Sequence, residues 1–485
     1  MCASRKLLSI FSCSLLWATM SCAPATDAAE EIPDAVDDSM AEVTGLPSIE
    51  DLDPALDVVE YELTIGVSEV EMIPGKVTEV WTYNGTYPGP LLRARVGDTV
   101  RVHATNLLAE PTTIHWHGLR IDWRMDGVVH GDVVSIAPGE SFTYEFVVPE
   151  AGTFWYHPHV RSTVQVEAGL QGMFVVFEKE DVAPDVDADQ AFIFDDVRLT
   201  QNGEIAAHST SGPDIVHGRA GNMLLVNGKT GGELTLGAGR VERWRLVNTA
   251  NARTLFLRFP GLKVREIGAD GGLWPQWMTR EITTLMLPVG ARAELEVRLV
   301  EGQDSASVDA IVLASDGQGN VVQQPLTLLA VTGDASLDVE APRAGHTADE
   351  RFQPIAPDLW PTHRIELAGE NRNGVVVFTI NGQEHPNVDL WQVPQGEMQI
   401  IEIENLIGPE HPFHLHGQFF QVLTRDGRVA NEIGWRDTVL IEGFSTVTIA
   451  TDFSNPGMWM YHCHILEHGE NGMMAMVEVV DTDSP

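Results

Sequence analysis

Three stretches of the chain repeat one arrangement of polar and apolar residues. Each opens on an Asn-Gly pair, Asn84-Gly85, Asn227-Gly228 or Asn381-Gly382. Each then leads, within about two dozen residues, to an alternating segment that stops at an asparagine. The segments are Val96-Gly97-Asp98-Thr99-Val100-Arg101-Val102 followed by Asn106, Glu242-Arg243-Trp244-Arg245-Leu246-Val247-Asn248, and Gln399-Ile400-Ile401-Glu402-Ile403-Glu404-Asn405. Strand side chains alternate faces, so the pattern predicts half-buried strands, and Asn-Gly favours tight turns. The copies start 143 and 154 residues apart, the size of a β-sandwich domain. The reading is an all-β chain of three antiparallel Greek-key sandwiches, at roughly 55–180, 190–340 and 350–485, with no long helical period between them.

Composition agrees with this. The 485 residues allow several cores, and 44 glycines and 27 prolines favour turn-rich structure. A formal net charge of −40 leaves no basic footprint for nucleic acid, and an anionic membrane surface would repel the body. Arg5 and Lys6, the apolar run Leu7 to Met20 and Ala23-Pro24-Ala25 predict an export signal over residues 1–25, hence a periplasmic or extracellular protein. Cys22 offers a competing reading, a lipid anchor. Residues 26–54 hold many Asp and Glu and no Lys or Arg, which predicts a solvated acidic linker.

The candidate chemistry lies in histidines and one cysteine. Cys2, Cys13 and Cys22 fall in the leader, so Cys463 is alone in the body and no internal disulfide can form there. It stands in Tyr461-His462-Cys463-His464, ahead of His468 and Met473. On a strand, His462 and His464 point one way and Cys463 the other, so one strand can hold a metal centre on each face. Cys463, His468 and Met473, with a histidine from elsewhere, give the His₂Cys plus weak axial Met set of a blue-copper electron-transfer site. His462 and His464 face a histidine-only centre. Further pairs stand in His115-Trp116-His117-Gly118, His157-Pro158-His159 and His411-Pro412-Phe413-His414-Leu415-His416-Gly417. The middle copy has only the isolated His208 and His217, so it is expected to be a metal-free spacer beside a centre built between copies one and three.

These four clusters, with Tyr87-Pro88-Gly89-Pro90 and Ile267-Gly268-Ala269-Asp270-Gly271-Gly272, make the sequence resemble the multicopper oxidases, specifically the three-domain, laccase-like bacterial members. The resemblance covers nearly the whole body and implies three consecutive cupredoxin-like domains. It implies copper as cofactor, in four sites per chain. His411, Cys463 and His468 would bind the type 1 copper, with Met473 axial. His115 and His414 would bind the type 2 copper. His117, His157, His159, His416, His462 and His464 would bind the type 3 pair. Cys463 would pass electrons onward, and Asp126, in Met125-Asp126-Gly127, would relay protons. One position departs from the family: bacterial relatives often carry a glutamate directly after the last type 1 histidine, where Gly469 stands here, and Glu467 and Glu470 are the candidate substitutes. His103, His130, His208, His217, His346, His363 and His385 read as ordinary solvated or hydrogen-bonded side chains.

The reaction so implied is one-electron oxidation of a reductant coupled to four-electron reduction of O2 to water, in a monomer. Copper-efflux members oxidise Cu(I) and commonly carry a methionine-rich insertion and an Asp/Met pair before the first type 1 histidine. Ile407-Gly408-Pro409-Glu410 occupies that stretch here, and the 15 methionines form no dense block. A phenolic or other small aromatic reductant is therefore expected ahead of Cu(I), with a periplasmic cuprous oxidase as the alternative. An aromatic donor needs an apolar cleft with a polar group; Trp274 and Trp277 are candidates for its wall. Two rivals fit less well. Copper nitrite reductases have two domains, and copper-free scaffolds on the same fold lose the ligands that this chain keeps.

Overall fold

The three Asn-Gly pairs form the same turn. Each places both residues in the left-handed region, with φ of 53° and 73°, 50° and 76°, and 53° and 72°. Mirror-image turns of this kind match the twist of flanking strands, and asparagine and glycine are the residues that adopt them at least cost. Each asparagine side chain also ties the turn back to the preceding strand: the backbone N–H groups of Thr64, Ile193 and Glu366 donate to Asn84, Asn227 and Asn381. The computed structural model describes residues 43–53, 55–178, 184–209, 212–315, 321–334, 352–372 and 375–481. The expected leader with Cys22, the acidic stretch before residue 43, and His346 lie outside them.

The alternating segments form strands Thr99–Asn106, Glu242–Asn248 and Gln399–Asn405, and all three end on the repeated asparagine. These asparagines are buried and do one job. Asn106 donates to the carbonyls of Glu110 and Ile136 and accepts from the N–H of Leu108. Asn248 donates to Arg253 and Leu287 and accepts from Ala250. Asn405 donates to Pro409 and Ile441 and accepts from Ile407. A buried carbonyl without a partner costs about 1–3 kcal/mol, so each asparagine fixes the loop that follows it. That loop delivers the next strand: His115–His117, Leu255–Arg258 and His411–Leu415. The first and third copies put histidines there; the middle copy puts Leu255-Phe256-Leu257-Arg258.

Each copy is a two-sheet sandwich. In the first, Lys76–Tyr83, Val58–Ile73, Thr99–Asn106 and Ser141–Val147 face Leu92–Arg95, Gly172–Phe177, Gly152–His157 and His115–His117 across a core that includes Leu63, Val102 and Phe174. The middle core includes Leu246, Leu257 and Leu295. The third includes Ile403, Phe413 and Val477. The sheets are mixed, not purely antiparallel as the alternation suggested. Val58–Ile73 runs parallel to Thr99–Asn106, Ala188–Val197 to Glu242–Asn248, and His363–Arg372 to Gln399–Asn405. Period-two alternation reports which face is buried and carries no information on strand direction.

Two further expectations are corrected. Glu242–Asn248 is buried along its whole length, not on alternate residues. Its outward face meets the first sandwich, where Arg243 pairs with Glu178 and Arg245 donates to the Thr153 hydroxyl at 3.2 Å, while Glu294 and Asp189 of the neighbouring middle-sandwich strands pair with the same two arginines. Residues 43–49 are packed rather than a solvated linker. Val43–Thr44 pairs in parallel with Asp189 and Gln190, Ser48 bridges Leu91, Leu46 packs on a cluster containing Leu91, Trp155 and Val247, and Ile49 packs on the first core. Its few apolar residues lie in the seam between two sandwiches, which the acidic average of the stretch conceals.

The same seam holds a buried acid. Asp195 accepts from the Tyr87 hydroxyl at 2.9 Å and from the Gln171 side chain. Burial, with Asp196 adjacent, pushes its carboxyl up to about 8. A group whose pKa is raised on folding stabilises below its unfolded value and loses that contribution as pH rises through the folded value. Stability should therefore fall between about pH 4 and pH 8 on account of this group. Asp195→Asn keeps the shape and removes the titration, and the Gln171 Oε1, otherwise unpartnered, can turn to accept from it. The variant should flatten the pH dependence of the thermal unfolding midpoint and raise it by a few degrees at pH 9. A slope identical to that of the wild type would contradict the assignment.

Candidate metal centres

Four strands bring the histidine pairs together. His115 lies opposite His157 in the first sandwich, and His414 lies opposite His462 in the third. Period two sends Trp116 into the first core and Cys463 into the third, leaving the flanking histidines on the facing surfaces. Side-chain nitrogens converge within 4.8 Å in three all-histidine groupings: His115, His117 and His157; His115, His414 and His416; and His159, His416 and His462. His464 joins them, with its ring 5.0 Å from that of His117 and 5.5 Å from that of His462. All eight expected ligands of the histidine centre thus meet between sandwiches one and three.

Five of the rings share an orientation, and His117 is turned the other way, with Nε2 on Asp437. The Nδ1 atoms of His115, His157, His414 and His462 bond to the carbonyls of Asp126, Pro158, Asp437 and Cys463, at 2.8–3.0 Å. His416 Nδ1 bonds to the Asp126 carboxylate at 2.8 Å. With Nδ1 donating outward, Nε2 is left as a lone pair aimed inward. Burial, reinforced by neighbouring rings, holds His157, His416 and His464 well below the usual imidazole range, so they are neutral.

The second centre lies on the other face of the Gly457–Cys463 strand. The Cys463 Sγ is 3.4 Å from His411 Nδ1 and 3.6 Å from His468 Nδ1, and those two nitrogens are 3.0 Å apart. Here Nδ1 points inward. His468 Nε2 donates to the Val216 carbonyl at 3.2 Å, and Phe378 stacks on the same ring at 4.1 Å. Met473 is fully buried in the same core and clamps the loop through its backbone: Cys463 N–H donates to Met473 O, and Met473 N–H to His468 O.

The middle sandwich does more than space the other two. Arg292, fully buried, donates through Nη1 to Asp437 Oδ1 at 2.7 Å and contacts Asp437 Oδ2 through Nη2. Its backbone N–H donates to Asp270 at 2.7 Å. Burial pushes the Asp437 carboxyl up, but the Arg292 guanidinium outweighs this and holds it below the usual range. Asp437 then meets His117 Nε2 at 3.3 Å and His414 Nδ1 at 3.5 Å. Gly118 is glycine for this reason: a Cβ there would lie 2.3 Å from Arg292 Nη2 and 2.7 Å from Asp437 Oδ2. Gly290 likewise lets the middle sandwich back onto His464 and His117. The sequence reading missed Arg292 and Asp437. Neither carried a signal of its own: Arg292 opens a strand, Arg292–Leu299, that also holds Glu294, Glu296 and Arg298, and Asp437 follows Arg436 ahead of the apolar Thr438–Ile441.

Other expectations resolve as follows. Asp126 is buried, and its carboxylate lies 2.8 Å from His416 and 3.2 Å from His115. Glu467 is buried, accepts from the Arg219 N–H at 3.0 Å and is pushed up by burial to about 7. Glu470 is exposed, caps Thr163, and lines a cavity of about 260 Å³ with His157, His159 and His462. Glu410 accepts from the Thr254 hydroxyl at 2.6 Å. Trp274 and Trp277 do not wall the cysteine centre: Trp274 packs with Ala269, Met278 and Phe352, and Trp277 stands in solvent. The part of the middle sandwich that reaches that centre is the short helix Pro213–His217, through Val216. His103 pairs with Glu60, and His363 stacks on Trp391.

The donor set fits metal. The Nε2 atoms of His115, His157 and His414, Nδ1 of His117 and both nitrogens of His464 are buried without a partner. Each such atom costs about 1–3 kcal/mol unless a cation takes its lone pair. Burial also raises the Cys463 thiol above its usual range, so a thiolate needs a bound cation there. Neutral imidazoles with one thiolate suit copper. Asp437, held by Arg292, fixes the rings of His117 and His414, so Asp437→Ala should weaken copper retention about 10–100-fold. Copper content after dialysis against graded chelator concentrations measures this, and unchanged retention would contradict the role given to Asp437.

Two sequence profiles described as multicopper oxidase match residues 64–181 and 357–483. The chain is 31% identical over 454 residues to multicopper oxidase mco of Staphylococcus aureus, covering 88% of this chain and 91% of that protein. Its fold is similar to that of a multicopper oxidase of Campylobacter jejuni described as a metallo-oxidase, at 28% identity and a TM-score of 0.78, over 90% of this chain and 94% of that one. It is also similar to a laccase-like multicopper oxidase of an Ochrobactrum species with oxidase activity towards lignin model compounds, at 27% identity and a TM-score of 0.75, over 90% and 100%. The two histidine-lined centres, set back to back on one strand of a three-sandwich chain, thus belong to a member of the multicopper oxidase family, a copper-dependent oxidoreductase that uses O2.

Proposed function

We propose that the chain is a laccase-like oxidase. It would take single electrons from phenolic or other aromatic reductants at the Cys463 centre and use four of them to reduce O2 to water at the histidine centre. The observation that carries the reading is the adjacency of Cys463 to His462 and His464, one covalent step from each. Four bound coppers per chain would supply the one-electron redox steps: one held by His411, Cys463, His468 and Met473, one by His115 and His414, and a pair by His117, His157, His159, His416, His462 and His464.

The chain's own residues do the rest. The stretch before His411 meets the middle sandwich through Glu410 and Thr254. Thr254 also lines a cleft of about 710 Å³ whose walls include Phe256, Leu257, Met286 and Val312. An apolar cleft with one carboxylate at its edge suits an aromatic donor bearing a hydroxyl. Glu410, bonded to Thr254 at that edge, would accept the hydroxyl proton. At the histidine centre, the Asp126 carboxylate is the group within reach to hand protons inward past His416 and His115. The similarity to a metallo-oxidase keeps Cu(I) as the second reading.

Oxygen uptake separates the two. Electron-rich phenols should turn over without added copper, and Cu(I) should be oxidised only weakly. Low-KM Cu(I) oxidation, with phenols active only under excess Cu(II), would replace this reading with a copper-detoxifying oxidase.

A further inference from the structure

Strands Gly457–Cys463 and Met474–Val480 pair with Met460 opposite Met476 and His462 opposite Met474. Their inner face carries Trp459, Tyr461, Cys463, Ala475 and Val477, all in the third core. Their outer face therefore carries Met458, Met460 and His462 from one strand, and Met474, Met476 and Glu478, which is opposite Met458 and bonded to Gln392, from the other. Directly opposed side chains on a sheet have Cβ atoms about 4.5–5.5 Å apart. Methionine commonly serves as core filler, but these four lie on the face away from the core. Met458, Met474 and Met476 are half-buried, and Met460, although buried, belongs to neither the first nor the third apolar core.

The run ends at the histidine centre. Met474 lines the cavity of about 260 Å³ that also holds His159, His462 and the exposed Glu470. Its Sδ lies 3.9 Å from where a Cβ on Gly469 would stand. That is an ordinary contact distance, so the thioether packs beside Gly469 at the edge of the cavity.

We propose that this methionine face is a binding site for a soft monovalent cation, Cu(I), and that it passes copper to the histidine centre while the protein is being loaded. Thioethers are soft, uncharged donors that favour Cu(I) over the hard divalent cations abundant outside cells. Steps between neighbouring cross-strand thioethers would bring an ion to His462, which pairs with Met474. The face is opposite that of the Cys463 thiol, so the site is distinct from the reductant-binding edge. The inference rests on the histidine centre holding copper, and not on which reductant is oxidised.

The test uses silver(I), a redox-inert stand-in for Cu(I), titrated calorimetrically into fully copper-loaded protein. The wild type should bind it, and Met460→Leu with Met476→Leu should weaken binding by about tenfold or more while conserving volume. Met398→Leu, at an exposed methionine elsewhere on the third sandwich, should leave it unchanged. Copper-stripped protein carrying the double substitution should also take up Cu(I) anaerobically at least about tenfold more slowly. Anomalous diffraction from silver-soaked wild-type crystals should place the ion between Met460 and Met476, whatever the stability of the variant. No silver peak there, undiminished silver affinity in the double variant, or an undiminished rate of copper uptake would overturn the proposal. Failure of the copper centres themselves would show separately, as a protein that binds silver at these methionines and retains no copper.

Discussion

One geometric constraint organises this protein: side chains on a strand point to alternate faces. At Tyr461-His462-Cys463-His464 that constraint puts a thiol in the core of the third sandwich and two imidazoles at its surface, against the first. A thiolate centre needs a dry, apolar wall, and a histidine centre needs room for many rings and for oxygen. One strand satisfies both only because its two faces meet different surroundings. The distance between the centres is then set by covalent structure and does not depend on how the domains pack.

The histidine centre makes the opposite demand, since its histidines come from the first and third sandwiches, far apart in sequence. Neutral rings in a dry interface gain nothing from one another without metal, so something else must fix them. The Nδ1 bonds to backbone carbonyls do this ring by ring. The Asp270–Arg292–Asp437 group does it between sandwiches. A buried ion pair is expensive to desolvate and contributes little net stability; what this one supplies is position. The middle sandwich, without ligands of its own among these groupings, thereby holds the other two in register.

Much of this was legible in the chain. The repeated asparagines announced three copies because each has the same buried carbonyls to satisfy, and the histidine pairs announced which copies supply the converging rings. The converging histidines and Cys463 were readable as clusters because metal chemistry restricts residue type and strand geometry restricts spacing. Arg292 and Asp437 were not readable, since an arginine and an aspartate acquire meaning only when the fold brings them together. Strand direction was hidden for the reason that alternation is the same in parallel and antiparallel sheets. The seam packing of 43–49 was hidden because Leu46 and Ile49 are too few to stand out in an acidic stretch. The wall of the cysteine centre was misplaced because tryptophan content suggested an aromatic cleft, whereas a short helix with a free carbonyl reaches His468.

The central claim is that electrons entering singly at Cys463 are collected and delivered together at the histidine centre. The stoichiometry of turnover reads this directly. With a one-electron phenolic reductant and calibrated oxygen and peroxide electrodes, the account predicts about four reductant molecules oxidised per O2 consumed, with no hydrogen peroxide released. A ratio near two, with peroxide accumulating in step with oxygen uptake, would mean that the two centres do not act as one and would contradict it.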